Sequence, residues 1–392
     1  MSTDITKLGL RPADIMLPAK GVDYSKFAVI ACDQFSANPE YWDDVARIAD
    51  GAPSTLNLIL PEAHLHSPED ERRAAREIPQ VMKKYLGGGV LEDIGECFIY
   101  VRRRTSAGIR RGLVAAFDLE QYEFTPDSES LIRATERTVI ERLPARKQIR
   151  SSAPLELPHA MVLVDEPDNE LFNMLEGARA DMPLLYDFEL MLGGGRIEGY
   201  RVGAEYTEKI AEILERDRDR RNGFLFAMGD GNHSFAAAKQ WWDELKATLT
   251  PAQRENHPAR YCLAELVNLH DEGLVVEPIH RLLIGVDPQK AASELNIDPE
   301  CPPPLDVLQP QIDDYIAAHP GIELEYIHGA DECRELAARA DDRLAIVWSS
   351  FDRSAIFDGV QNSGCLPRKS FSLGVAKDKR YYLECRKIVK NQ

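Results

Sequence analysis

Short apolar runs of strand length alternate with helix-patterned stretches along almost the whole chain, with no internal repeat or low-complexity segment between them. That alternation restricts the fold to a mixed α/β (α+β) class, with elements of both types packed around shared cores. At 392 residues and 44% apolar content the chain has material for two or three domains, or for one large α/β body. Strands are expected at 27–32, 56–60, 97–103, 111–119, 224–228, 260–268 and 279–284. Helices are expected at 70–86, 128–143 and 233–245. The Pro-rich stretch 299–304 is the best linker candidate, with a rigid turn as the equal alternative. It divides a main body (1–298) from a small α/β appendage (299–350) and from C-terminal strands (351–392) that return to the main body.

The formal net charge is −18, which argues against a general nucleic-acid binder, because such a protein needs a basic face to displace counterions. A local basic pocket for a phosphorylated ligand stays compatible with it. No apolar run approaches the roughly 20 residues of a membrane span, and the first 20 residues carry Asp4, Lys7, Arg11 and Asp14 instead of a signal-peptide core. The expectation is a cytoplasmic protein without a membrane partner. Seven scattered cysteines form no C-x-x-C pair and read as reduced residues rather than zinc ligands.

The sharpest local signal runs from Phe224 to Ser234: an apolar strand, then Gly229-Asp230-Gly231-Asn232-His233-Ser234, then a helix. Glycines allow a tight turn and close ligand approach, and the first N–H groups of the helix form an anion seat. Asp230, Asn232 and His233 then offer a carboxylate, an amide and an imidazole from one turn, a set suited to phosphate-ester chemistry. The competing reading is a capped helix with His233 packed, and on this motif alone the two stand about even.

A second strand-ending loop contains Asp33, a candidate general base or metal ligand whose plain alternative is an Asx-turn before Asn38-Pro39. Arg142 and Arg146 belong to the main basic cluster, near Glu156. Guanidinium groups there suit bidentate phosphate contacts, against surface salt bridging as the ordinary outcome. His280-Arg281 interrupts an apolar series and sends one side chain to each sheet face. Walker, nucleophile-elbow, H-E-x-x-H and H-R-D motifs are missing from the sequence.

Seven ordered blocks resemble the bacterial and archaeal domain-of-unknown-function family 1015. They are Arg11-Pro12; Ala31–Phe35 with Pro39–Trp42; Arg133–Glu136 through Arg142 and Arg146; Glu156–His159; Gly229–Ser234; Pro278–Arg281; and Lys369–Ser372 with Lys379–Glu384. The Asp-Gly-Asn-His turn is also similar to the Asp-Gly-His-His-Arg signature of free serine kinases related to the ParB/sulfiredoxin fold. This chain departs from it, with Asn232 for the first His and Ser234 for the Arg.

The resemblance implies a ParB/sulfiredoxin-like mixed-sheet core with helical and small α/β additions. It also implies a small-molecule kinase using ATP and Mg2+ on a small hydroxyl substrate such as free L-serine. In that reading Asp230 helps to hold the metal, and Gly229, Gly231, Asn232 and Ser234 cradle nucleotide phosphates. His233 contacts the transferring group, and Asp33 or Glu156 accepts the substrate proton. Arg142, Arg146, His280 and Arg281 replace the missing phosphate clamp. A homodimer is compatible with the sequence. The rival readings are a ParB-like nucleotide switch without small-molecule turnover and a phosphohydrolase.

Overall fold

A computed structural model describes residues 4–36 and 38–389. Contacts divide the chain into two units: one takes in the chain up to Ala134, Thr138–Leu274 and the segment from Val375 onward, and the other Thr135–Arg137 and Val275–Gly374. The second unit is thus an insertion in the sequence of the first.

Among the described residues the first unit carries an eleven-stranded mixed sheet. Its path runs Tyr122–Glu123, Ile132–Arg133, Phe226–Asp230, Met161–Val164, Tyr261–Asn268, Gly108–Asp118, Leu91–Thr105, Arg196–Val202 and Leu184–Glu189. Leu10–Arg11 and Ala13–Pro18 pair onto the two long central strands. Those two strands form the expected hairpin, closing at the Thr105–Gly108 pair. Tyr261–Asn268 is buried at every residue, Glu265 and Asn268 included, so both sheet faces there are covered.

The second unit holds an antiparallel sheet ordered Glu323–His328, Val276–Ile284, Arg343–Ile346, with Phe371–Leu373 on the early part of its central strand. The stretch expected to be a linker is built into this unit. The Pro299 carbonyl accepts from Val347 N at 2.8 Å, and the Pro303 carbonyl accepts from the Trp348 indole at 2.8 Å. The unit therefore spans 275–374 instead of 299–350.

Three local expectations are also corrected. The apolar run 27–32 is not a strand: Tyr24–Phe27 is a helical turn, and the rest of the run makes only a single bridge, Ile30 to Arg380. Its hydrophobicity reflects burial against Trp42 and Tyr381. Residues 56–60 lie largely in a 3-10 turn, Thr55–Leu58, capped by Ser54. The expected helix 128–143 gives way to the short strand Ile132–Arg133, and the helix is instead Leu143–Ser152, with Pro144 as its second residue. Proline is favourable in the first helical turn, where its missing N–H costs nothing, so it opens this helix instead of ending one. Among the described residues no helix is long and apolar enough to cross a membrane.

Candidate functional site

The strand Phe226–Asp230 delivers its carboxyl end directly to the helix Asn232–Lys246 through Gly231. Gly231 has φ +79°, in the left-handed region, and a Cβ there would lie 2.8 Å from the Ala160 Cβ. Both the backbone and the space demand glycine. Gly231→Ala is expected to cost about 2–4 kcal/mol, combining the left-handed penalty with overpacking, read as a lowered urea midpoint at unchanged m-value. As N-cap, Gly231 supplies no side-chain hydrogen bond, so the first turn of the helix keeps its donor character.

Asp230 faces two donors. Gly231 N–H donates to Oδ1 at 2.8 Å, and Lys379 Nζ lies 3.1 Å from Oδ2. Burial alone would raise this carboxyl, but Lys379, the Gly231 N–H and nearby His159 outweigh it and hold Asp230 below the usual range. In the first turn of the helix, Ser234 Oγ lies 3.0 Å from His159 Nε2. The His159 ring packs at 4.9 Å from the Tyr381 ring, whose hydroxyl donates to Cys32 Sγ at 3.3 Å. Burial pushes His159 below its ordinary value against the opposing pull of Asp33 and Asp230, so the ring is neutral near pH 7.

Cys32, Arg146, His159, Ser234 and Tyr381 line a cavity of about 570 Å³ in the first unit. Its lining also includes the apolar residues Leu58, Leu60, Met82, Ile149, Leu155 and Leu157. A volume of this order with a few convergent polar groups is typical of small-molecule sites. Arg146 reaches Glu62 at 2.6 Å on the same wall.

Ser234 and Arg146 line this cavity, while Asp230 does not line it and acts on the lining residue His159 through its charge. Asp33, exposed, accepts from Gln34 Nε2 at 2.9 Å and acts on His159 through its charge. Asn232 Oδ1 is buried in the same turn without a hydrogen-bond partner among the described residues. His233 Nε2 accepts from Val139 N at 3.3 Å, and Gly229 contributes backbone only. The Arg142 side chain lies outside the described residues.

Three expected residues are engaged elsewhere. Glu156 lines the cavity but is clamped by Arg386 at 2.5 Å and Arg150 at 2.7 Å, and accepts from Leu263 N at 3.0 Å. Burial would raise its carboxyl; the two guanidinium groups more than reverse that and hold it low, which makes it a poor proton acceptor. Arg281 belongs to the second unit and is fully buried there. It donates to Gln309 Oε1 and to the carbonyls of Ile279, Lys369 and Arg368, all within 3.0 Å. His280, also buried in that unit, accepts from Trp348 N at 3.3 Å. Conversely, Lys379, His159 and Tyr381 are site residues that the sequence reading does not single out. Their only local trace is that they sit in the matching blocks 156–159 and 379–384.

Among the described residues no group of three or more His, Cys, Asp or Glu could hold a metal by itself. A nucleotide-borne Mg2+ asks for less, one or two carboxylates beside phosphate oxygens. Asp33, an exposed carboxylate, is one candidate for that role. Asp230, with both oxygens engaged, would share a cation only by giving up Lys379.

A family model described as a protein of unknown function, DUF1015, matches residues 16–386. No curated protein matches the sequence. Among solved structures, a conserved hypothetical protein from Pyrococcus furiosus is similar with TM-score 0.35 at 10% identity, covering 70% of this chain and 95% of that one. A free serine kinase variant in complex with ADP is similar with TM-score 0.38 at 10% identity, covering 70% and 92%. A free serine kinase in complex with AMP gives TM-score 0.37 at 11% identity over the same shares. Likenesses this distant carry no argument about the site.

Proposed function

The chain belongs to the DUF1015 family, and from the chemistry of its cavity we propose that it transfers a phosphoryl group from ATP to a small hydroxyl substrate. The observation that carries this reading is the helix N-terminus at Gly231, left without a side-chain cap, beside the Asp230–Lys379 pair, with Ser234 of its first turn lining the cavity.

First-turn N–H groups and the helix dipole favour phosphate oxygens at that place. Lys379 and Arg146 supply positive charge for the oxygens of the transferring group, where such catalysis is chiefly positioning and electrostatics. The apolar lining from Leu58, Met82 and Ile149 suits a nucleoside base. Asp33 takes the acceptor proton, a role that the clamped Glu156 fills poorly. Mg2+ carried by the nucleotide phosphates would supply further charge neutralisation. L-serine is the acceptor implied by the family resemblance.

The test is calorimetric titration with ATP and Mg2+, alone and with L-serine present. Binding that tightens with serine, or heat of turnover followed by phosphoserine in the product, supports the reading. Nucleotide binding indifferent to serine would favour the switch. Phosphate release without an acceptor would favour hydrolysis, and absence of nucleotide binding would overturn the proposal.

A further inference from the structure

We propose that Ser234 is the nucleophile that takes up the phosphoryl group first, with His159 as its base. This rests on the phosphoryl-transfer reading above and adds a covalent step to it. A serine in the first turn of a helix ordinarily turns its hydroxyl to backbone or water. Here Oγ is instead 3.0 Å from His159 Nε2, and both residues line the cavity.

The imidazole is held in place from several sides. Tyr381 packs against the ring at 4.9 Å and is itself anchored through Cys32, while the backbone of Leu157 hydrogen-bonds the ring. In the tautomer that carries its proton on Nδ1, Nε2 presents its lone pair to the Ser234 hydroxyl. A nucleophile, a base within hydrogen-bond reach and a group orienting that base are the three parts of an activated serine. The first-turn donors of the same helix lie where the oxygens of the attacked phosphorus gain charge.

In the first half of the reaction Ser234 Oγ bonds to the γ-phosphorus, the bond from that phosphorus to the bridging β-phosphate oxygen breaks, and the Ser234 proton passes to His159 Nε2. The nucleoside diphosphate leaves. In the second half the acceptor hydroxyl attacks the phosphorus and gives its proton to Asp33. Ser234 Oγ departs and recovers its proton from His159.

The experiment uses the full chain with γ-labelled ATP and Mg2+ in the absence of acceptor, followed by acid quench and peptide mass spectrometry. The expected result is label on Ser234, chased into product on adding L-serine, absent in Ser234→Ala and retained on the thiol of Ser234→Cys. In His159→Asn, labelling slows by about 10²–10⁴-fold, the usual contribution of a general base. Undiminished transfer to L-serine by folded Ser234→Ala would overturn the nucleophile and leave the transfer reading standing. Absence of any transfer by the wild type would overturn that reading. A fluorophosphonate probe would then judge the serine alone: an adduct at Ser234 upholds the primed nucleophile, and its absence overturns it.

Discussion

Glu156→Gln is expected to destabilise the first unit by about 3–5 kcal/mol, the usual cost of removing one partner from a buried charge cluster. The carboxylate is 7% exposed and neutralises Arg150 and Arg386 together. Glutamine keeps its shape but leaves two guanidinium groups in the interior without a counter-charge, and its NH2 points donors at donors. Because folding lowers this carboxyl below its ordinary 4.5, its contribution is fully present above that pH and is lost as pH falls through the lower folded value. The gap between wild type and variant should therefore be widest at neutral pH and close in acid. Urea unfolding at pH 7 and at pH 3–4 measures both. Unchanged stability with collapsed phosphoryl transfer would instead restore Glu156 to the role of proton acceptor.

Asp230→Asn is expected to reduce transfer by about 10²–10³-fold, comparable to the loss of one preorganised electrostatic group at a reacting centre. The substitution removes the charge that fixes Lys379 at 3.1 Å and weakens the hold of Oδ1 on the Gly231 N–H. Lys379 then loses its counter-charge at Asp230, and the acceptor of the Gly231 N–H becomes a neutral amide oxygen. The rate should fall mainly in kcat, since the apolar lining that would receive the base is untouched. Steady-state kinetics of a variant with wild-type melting behaviour checks this, and full turnover would take Asp230 out of the mechanism.

The part of this site that could be read from sequence is the part that is local. The strand, the turn and the helix from Phe224 to Lys246 follow from an apolar run, a glycine, Gly231, at the one position that needs left-handed backbone, and helical periodicity, all within about twenty residues. The mixed α/β class followed from the same patterns. His159 and Lys379 were out of reach because nothing near them in sequence specifies that Ser234 and Asp230 will be their partners; only the folded sheet and the returning C-terminal segment bring them there. Hydrophobicity misled at 27–32, where it signals burial without strand pairing. Alternation misled at His280-Arg281: a strand covered on both faces sends both side chains into the interior of the second unit, so neither is presented outward. Pro144 misled because one residue type marks helix starts and helix ends alike.

The segment after Val375 ties the first unit together from a distance: Arg380 bridges Ile30, Cys385 bridges Met16, and Arg386–Lys387 pairs with Leu155–Glu156. The same few residues supply Lys379 to Asp230, Tyr381 to His159 and Arg386 to Glu156. Synthesis adds them only after the whole inserted unit has been made. A nascent chain that has reached Gly374 already contains the glycine turn and the serine–histidine pair, yet it lacks Lys379 beside the aspartate and has only Arg150, without Arg386, beside the buried glutamate. Pairings of such long sequence separation are expected to form late and slowly, so the Asp230 and Glu156 ends of the cluster are completed last.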